Sequence, residues 1–281
     1  MGQLQGKTAV VLGAASEGNM GQTIARLFAK EGAKVMVAGR KEGPLAALAA
    51  DIGGEYALCD ITNRAEVNAM ADKAVAAFGR VDIAINTTGW GLLASMEEIT
   101  DEQLDQIVDL QFKGVHHFLQ AFVRVMSQQQ PTGGSLISLS SATTKAIITN
   151  HAAYIGTKRG SEALIECVAN DYGHLGIKAN TVSPAFTDSP MTHDSFQVPG
   201  LTDAFLPRYP LGRLNTSLDV ANASEAADAE SARVDFEFHL QIAQCTGNSF
   251  FIDAMAHVGN TLIAVVQQAG PAVTAENRAL V

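Results

Sequence analysis

Three cysteines, Cys59, Cys167 and Cys245, are all that 281 residues contain, and no two of them form a CxxC pair. That scarcity excludes a disulfide framework and suits a reducing compartment. Sustained runs of Lys or Arg are absent and the formal net charge is -10, so nucleic acid is not expected as the main partner. No window approaches the roughly 18 uninterrupted apolar residues of a membrane span. Met1 to Lys7 lacks a charged segment followed by a long apolar run, so no signal peptide is read and a cytoplasmic location is expected. His116, His117 and His151 do not stand at a metal-ligand spacing with carboxylates, and no metal is assigned to them. What the chain does have is hydrophobic material, 47% of its residues, enough for a packed core. Its length suits one large α/β domain, alone or with a small appendage.

Thr8 to Leu12 reads TAVVL, a short apolar run rich in β-branched residues. A glycine-rich stretch from Gly13 to Gly21 follows, and then the helical pattern of Thr23 to Lys30. In that order, glycines let the backbone approach a pyrophosphate that faces a helix N-terminus. The same residues would also make a plain strand-to-helix turn with spare glycines. A second strand, Lys34 to Ala38, ends in Gly39-Arg40-Lys41. An acid at that place would accept from the 2′-hydroxyl of NAD. Glycine followed by two cations favours a 2′-phosphate instead, hence NADP, with NAD as the alternative. Glu17 is an opposing signal, because an acid near that phosphate would repel it.

The alternation continues through a helix at Pro44 to Asp51 and a strand at Glu55 to Cys59, closed by Asp60, a neighbour for the adenine. Asn63, with Glu66 three residues on, reads as the cap of a helix running to Phe78. The strand Val81 to Asn86 stops at Asn86-Thr87-Thr88-Gly89, and a long helix, Asp101 to Met126, precedes the strand Ser135 to Leu139. Helix Ala152 to His174 and a sixth strand, Ile177 to Ser183, complete the series. Strands separated by helices imply parallel pairing through right-handed crossovers, so the expected fold is α/β, a doubly wound, Rossmann-like parallel sheet.

Tyr154-Ile155-Gly156-Thr157-Lys158 places a phenol and an ammonium at i and i+4, on one helix face and about 6 Å apart along its axis. A phenol titrates near 10 and is a poor base at neutral pH. A nearby ammonium favours the phenolate and lowers that value by about 1–3 units. Ser141, thirteen residues before the tyrosine, adds a hydroxyl able to hold a carbonyl oxygen during proton transfer. By itself the pair is also an ordinary amphipathic spacing.

Together the glycine loop, Asp60, Asn86-Thr87-Thr88-Gly89, the Ser141/Tyr154/Lys158 spacing and Ser183-Pro184-Ala185 resemble the short-chain dehydrogenase/reductase family over roughly residues 5 to 222. The resemblance implies NAD(P)-dependent interconversion of an alcohol and a carbonyl on a small molecule. By it, Tyr154 is the acid/base, Lys158 lowers its pKa and holds the nicotinamide ribose, and Ser141 orients the substrate oxygen. It implies cofactor contacts at Gly13, Ser16, Gly18, Met20 and Gly21, and at Arg40, Asp60 and Ile61. Further contacts fall on Asn86, Gly89, Lys158, Pro184 and Thr187.

The chain departs from that family in places. Leu12 replaces the usual Thr, and Gly18 and Gly21 fit the glycine pattern only if Glu17 and Asn19 are insertions. In Asp109-Leu110-Gln111-Phe112-Lys113-Gly114, Gln111 stands where the family has a catalytic Asn, with the same amide on a longer stem. Phe186 to Leu214 carries four of the eight prolines and falls where the family places a substrate lid. Trp90, Leu92, Leu93, Met191 and Phe196 are the expected apolar pocket wall.

Beyond Asn222 the text changes. Val234 to Gln244 has helical spacing, with Asp235 and His239 at i and i+4. It resembles part of the helical effector-binding (FCD) domain of FadR-type GntR regulators, too little of it to close a metal site. Thr246 to Ala254 also fits, loosely, the last strand of the reductase sheet. The expected division is therefore a reductase domain over 1–222 and a helical C-terminal segment over 223–281. The expected function is an NADP-preferring oxidoreductase. A cofactor-binding but inactive protein, or a sensor using the C-terminal helices, are the alternatives. A homo-oligomer is also open, with the family's C-terminal interface in question.

Overall fold

The computed structural model describes residues 2–197, 199–200, 202–203, 206–209 and 212–227. Strands β1 (Thr8–Leu12), β2 (Lys34–Gly39), β3 (Glu55–Leu58), β4 (Ile83–Asn86), β5 (Gly134–Leu139) and β6 (Ile177–Val182) form one parallel sheet in the order β3-β2-β1-β4-β5-β6. The doubly wound sheet expected from the alternation is therefore present. Leu12 pairs with Ala38 on one side and Asn86 on the other, Asn86 pairs with Ser138, and Leu139 pairs with Val182. That register lines up the C-terminal ends of five strands on one edge. Strand order reverses between β1 and β4, which opens a crevice there.

The intervening helices are α1 (Met20–Lys30), α2 (Glu42–Ile52), α3 (Arg64–Phe78), α4 (Asp101–Val108), α5 (Gly114–Gln128) and α6 (Ala152–Tyr172). Asn63 caps α3 by accepting from the amides of Ala65 and Glu66, and Gly79 ends it in the left-handed conformation. Phe118 and Phe122 of α5 are fully buried with ring centroids 4.9 Å apart, packed with Val67 and Met70 of α3 over the sheet. Burial of each such ring contributes at most about 3 kcal/mol.

The single long helix expected over 101–126 is interrupted. Between α4 and α5, Asp109–Lys113 forms a π-turn, so the run stays helical but is wider by one residue at Gln111. Thr100 and Gln103 form a capping box that starts α4.

The chain divides into two units, Met1–Gln197 with Asn215–Asp228, and Val198–Leu214 with Ala229–Val281. The first unit also holds α7 (His193–Phe196), a two-residue parallel pair of β7 (Thr187–Asp188) with β8 (Asn215–Thr216), and α8 (Ser217–Ala226), which packs on α1. The described part of the second unit includes a 3₁₀ turn at Leu206–Arg208. The helix expected over 234–244, the Asp235/His239 pair and the alternative strand over 246–254 lie outside the described residues. Among the described residues no helix is long and apolar enough to cross a membrane.

Candidate active site

The glycine loop is shaped by contact with the tip of β4. Gly13 has φ 104°, in the region that favours glycine, and a Cβ there would collide with Thr87 Oγ1. A Cβ at Gly21 would stand 2.8 Å from both the Gly13 carbonyl oxygen and Thr87 Oγ1. Thr87 is held in place by donating to the Leu12 carbonyl at 2.9 Å. The apparent insertion at Asn19 has a function of its own. Its side chain accepts from the Gln22 amide at 2.9 Å as the cap of α1, and donates to the Gly13 carbonyl at 2.7 Å. The loop is thus closed on itself, with the N-terminus of α1 at Met20 beside it. A cradle that only glycine fits, at a helix N-terminus, suits a pyrophosphate. Ser16, Glu17 and Gly18 lie exposed on its outer rim.

At the next strand end, a Cβ on Gly39 would sit 2.6 Å from the Ala15 Cβ. A carboxylate side chain has no room at that position. Arg40 follows with its side chain 76% exposed, 3.9 Å from Asp60 Oδ2. Asp60 is itself anchored, accepting from the Thr62 amide and hydroxyl at 2.9 and 2.8 Å. Ile61 is buried, its side chain filling the space beside Gly114. Asn86 is fully buried and accepts from Thr88, which folds the loop leading to Gly89. Thr187 is buried and donates to the Ala185 carbonyl at 2.8 Å, while the Pro184 carbonyl accepts from the Ala142 amide at 2.8 Å.

Ser141, Tyr154 and Lys158 are brought together. Ser141 Oγ accepts from the Thr143 amide at 3.2 Å and its hydroxyl at 2.9 Å, and it lies near enough to Tyr154 to favour the phenolate. Lys158 is buried, donates to the Leu139 carbonyl at 2.7 Å, and lies 6.0 Å from the Tyr154 ring centroid. Burial pushes the Lys158 ammonium down to about 8, against a pull upward from Glu162. Burial raises the Tyr154 phenol above its ordinary value, and Ser141 opposes that rise. This differs from the lowered phenol expected from spacing alone. The ammonium is turned toward the Leu139 carbonyl, and loss of water around the phenol dominates.

Gln111 enters the site from the π-turn. Its side chain accepts from the Trp90 amide at 3.1 Å and donates to Thr157 Oγ1 at 2.9 Å. Its carbonyl accepts from Ser161. A Cβ on Gly89 would lie 3.3 Å from Gln111 Oε1 and 3.5 Å from Lys158 Nζ, so that glycine lies where the two side chains converge.

The family model described as Enoyl-(Acyl carrier protein) reductase matches residues 13–226. The chain belongs to the short-chain dehydrogenase/reductase family. It is 30% identical over 235 residues to a D-threitol dehydrogenase of Mycolicibacterium smegmatis, covering 82% of this chain and 88% of that protein. It is 33% identical over 225 residues to a mitochondrial borneol dehydrogenase of Lavandula x intermedia, covering 79% and 83%. A solved short-chain type dehydrogenase/reductase from Mycobacterium ulcerans superposes with a TM-score of 0.76 at 25% identity, over 81% of this chain and 85% of that one. As in other members of the short-chain family, the cofactor is an NAD(P) dinucleotide, and the substrate class is CH-OH compounds.

Of the expected pocket wall, Trp90 is half-buried and Leu92 is buried, whereas Leu93 and Met191 are 65% and 58% exposed. The Met191 sulfur lies 3.3 Å from where a Gly91 Cβ would be, which seats it on the same loop. The side chain of Phe196 is outside the described residues. A bridge between Ala94 and His151 joins this loop to the 145–151 segment, and the His151 ring stands 5.5 Å from that of Tyr154. That segment adds Ile147, 71% exposed. Sequence reasoning missed Thr157, Ser161 and Glu162 as supports of the site. Their i+3, i+7 and i+8 spacing from Tyr154 was the available signal.

Proposed function

We propose that this chain is an NADP(H)-preferring oxidoreductase that interconverts a neutral, largely apolar secondary alcohol and its ketone through Ser141, Tyr154 and Lys158. The observation that supports it most is that Ser141, Tyr154 and a buried Lys158, whose ammonium donates to the Leu139 carbonyl, converge at the C-terminal edge of the sheet. The dinucleotide, when bound, supplies or accepts the hydride. In reduction, Tyr154 donates its phenolic proton to the carbonyl oxygen, and the Ser141 hydroxyl donates a hydrogen bond to that same oxygen. The Lys158 ammonium favours the phenolate left behind, so reduction depends on Lys158 keeping its proton. Gln111 holds the Trp90 loop against α6 and keeps this group of side chains in register. Gly13, Ser16, Gly18, Met20 and Gly21 would hold the diphosphate. Asp60 and Ile61 would flank the adenine, with Asn86, Gly89, Pro184 and Thr187 along the rest of the dinucleotide.

NADP is favoured over NAD by two features. Ala15 leaves no space for an acid at Gly39, and Arg40 is exposed beside it. The apolar exposed side chains of Leu93, Ile147 and Met191 favour an alcohol like borneol over a polyol like D-threitol, whose extra hydroxyls would lose water without gaining partners there. The separate C-terminal segment, expected from residue 223, is read as beginning after 226, because the family match ends there and 223–226 belong to α8.

Oxidation of borneol and of D-threitol with NADP and with NAD tests the reading. Borneol with NADP is expected to give the highest kcat/KM. Tyr154→Phe is expected to cut kcat by about 10²–10⁴-fold with NADPH affinity intact. Parent-level turnover in that variant, or preference for D-threitol, would overturn the corresponding part.

A further inference from the structure

Glu162 sits two turns of α6 beyond Tyr154 and one turn beyond Lys158, 8% exposed, and the proton transfer described above gives it no role. Its carboxylate is fully occupied by one short segment. Oε1 accepts from Ser140 Oγ at 2.6 Å and Thr144 Oγ1 at 2.8 Å, and Oε2 meets Lys145 Nζ at 3.2 Å. Those three residues bracket Ser141. Thr144 Oγ1 also lies 2.8 Å from the Ser141 carbonyl, and Arg159 of the same helix donates from Nε to the Thr144 carbonyl at 2.8 Å. The 3₁₀ turn Ala142–Thr144, which Ser141 caps, is therefore fastened to the helix that carries Tyr154 and Lys158, chiefly through one buried carboxylate.

We infer that Glu162 is a positioning residue for the reaction, fixing the Ser140–Lys145 segment so that Ser141 stays in register with Tyr154 and Lys158. The inference rests on the Ser141–Tyr154–Lys158 reading of the site. A buried acid held only to join two elements is costly unless every oxygen is partnered, and here both are. The carboxylate has a second effect through space. It favours the charged form of Lys158, which burial disfavours. The charged groups around it are Lys158 and Arg159 on its own helix and Lys145 on the facing segment. Tyr154 precedes Lys158 by one turn of α6, and Lys113 of the π-turn is engaged by Asp109.

The test compares Glu162→Ala and Glu162→Gln with the parent and with Tyr154→Phe, using camphor reduction by NADPH. Glu162→Ala is expected to lower kcat at least about tenfold, with NADPH Kd within about twofold of the parent. Glu162→Gln can still accept from Ser140 and Thr144, so it should recover most of kcat near neutral pH. It lacks the charge, so its alkaline fall in kcat should begin at lower pH than the parent's, a change that a purely structural role would not produce. Parent kcat and pH profile in both variants, with Tyr154→Phe inactive, would overturn the inference while leaving the reading of the site intact. A Glu162→Ala loss matched by an equal loss of NADPH affinity would overturn it too, as general damage. If Tyr154→Phe is as active as the parent, the reading of the site fails, and the inference with it.

Discussion

Gln111 Nε2 donates to Thr157 Oγ1 at 2.9 Å, across a separation of 46 residues, while the same amide accepts from the Trp90 backbone. One buried side chain thereby joins the π-turn, the loop after β4 and the helix of Tyr154. Asn carries the same amide on a stem one methylene shorter and cannot span both partners from that backbone position. Gln111→Asn is expected to lose about 1–3 kcal/mol of stability and at least about tenfold in kcat. Thermal melts and turnover check this; an Asn variant as active as the parent would show that the bridge is dispensable.

The proposed preference for NADP rests on a steric feature, Ala15 against Gly39, as well as an electrostatic one, Arg40. Arg40→Ala is expected to weaken NADPH binding by about 10–100-fold, the worth of a charge-assisted hydrogen bond, and to leave NADH binding unchanged. Gly39→Asp should not convert the protein to NAD use, because the new Cβ meets Ala15 at 2.6 Å. It should lower Tm, and Ala15→Gly in the same chain should restore it. Nucleotide titration and melting of the three variants decide the matter.

The pH dependence follows from two directions. Burial brings Lys158 down to about 8, so its positive charge is present below that pH and lost above it. Tyr154 is raised, so it still holds its proton there and remains able to act as an acid. Ketone reduction should therefore be level on the acid side of pH 8 and decline above it. A profile of kcat/KM for camphor reduction checks the sign; a decline toward acid instead would reverse the assignment.

Asn19 holds both the start of α1 and the Gly13 carbonyl. Asn19→Ala is expected to cost about 0.5–2 kcal/mol, as for lost helix caps generally. NADPH affinity should fall with it, measurably in a fluorescence titration, while Asn19→Asp keeps the cap but sets a carboxylate oxygen against the Gly13 carbonyl and a negative charge beside the diphosphate, and should weaken NADPH further.

Much of this was legible in the chain because it is local. TAVVL followed by glycines, the Asn63–Glu66 cap and the i, i+4 placement of Tyr154 and Lys158 each need only a few neighbouring residues, and each is found where the text puts it. The features that escaped depend on distant partners. Gly39 reads as a missing acid, but its reason is the Cβ of Ala15. Glu162 reads as one more acid on an amphipathic helix until the 140–145 segment folds against it. The spacing of Tyr154 and Lys158 predicts a lowered phenol, yet it contains nothing about the Leu139 carbonyl or about how much water burial removes. The π-turn left no mark, since Asp109 to Lys113 has the composition of any helix.

That π-turn makes this part of the chain sensitive to length rather than to composition. A π-turn holds one residue more than an α-turn, here closed by the Gly114 amide on the Asp109 carbonyl. Deleting Leu110 would keep every side chain of the site in the chain and let the turn close as an ordinary α-turn, with α4 and α5 still in phase. The cost would fall inside the turn, on the widened backbone that carries Gln111 to Trp90 and Thr157. A shortening by one residue here should spare the fold and cost turnover.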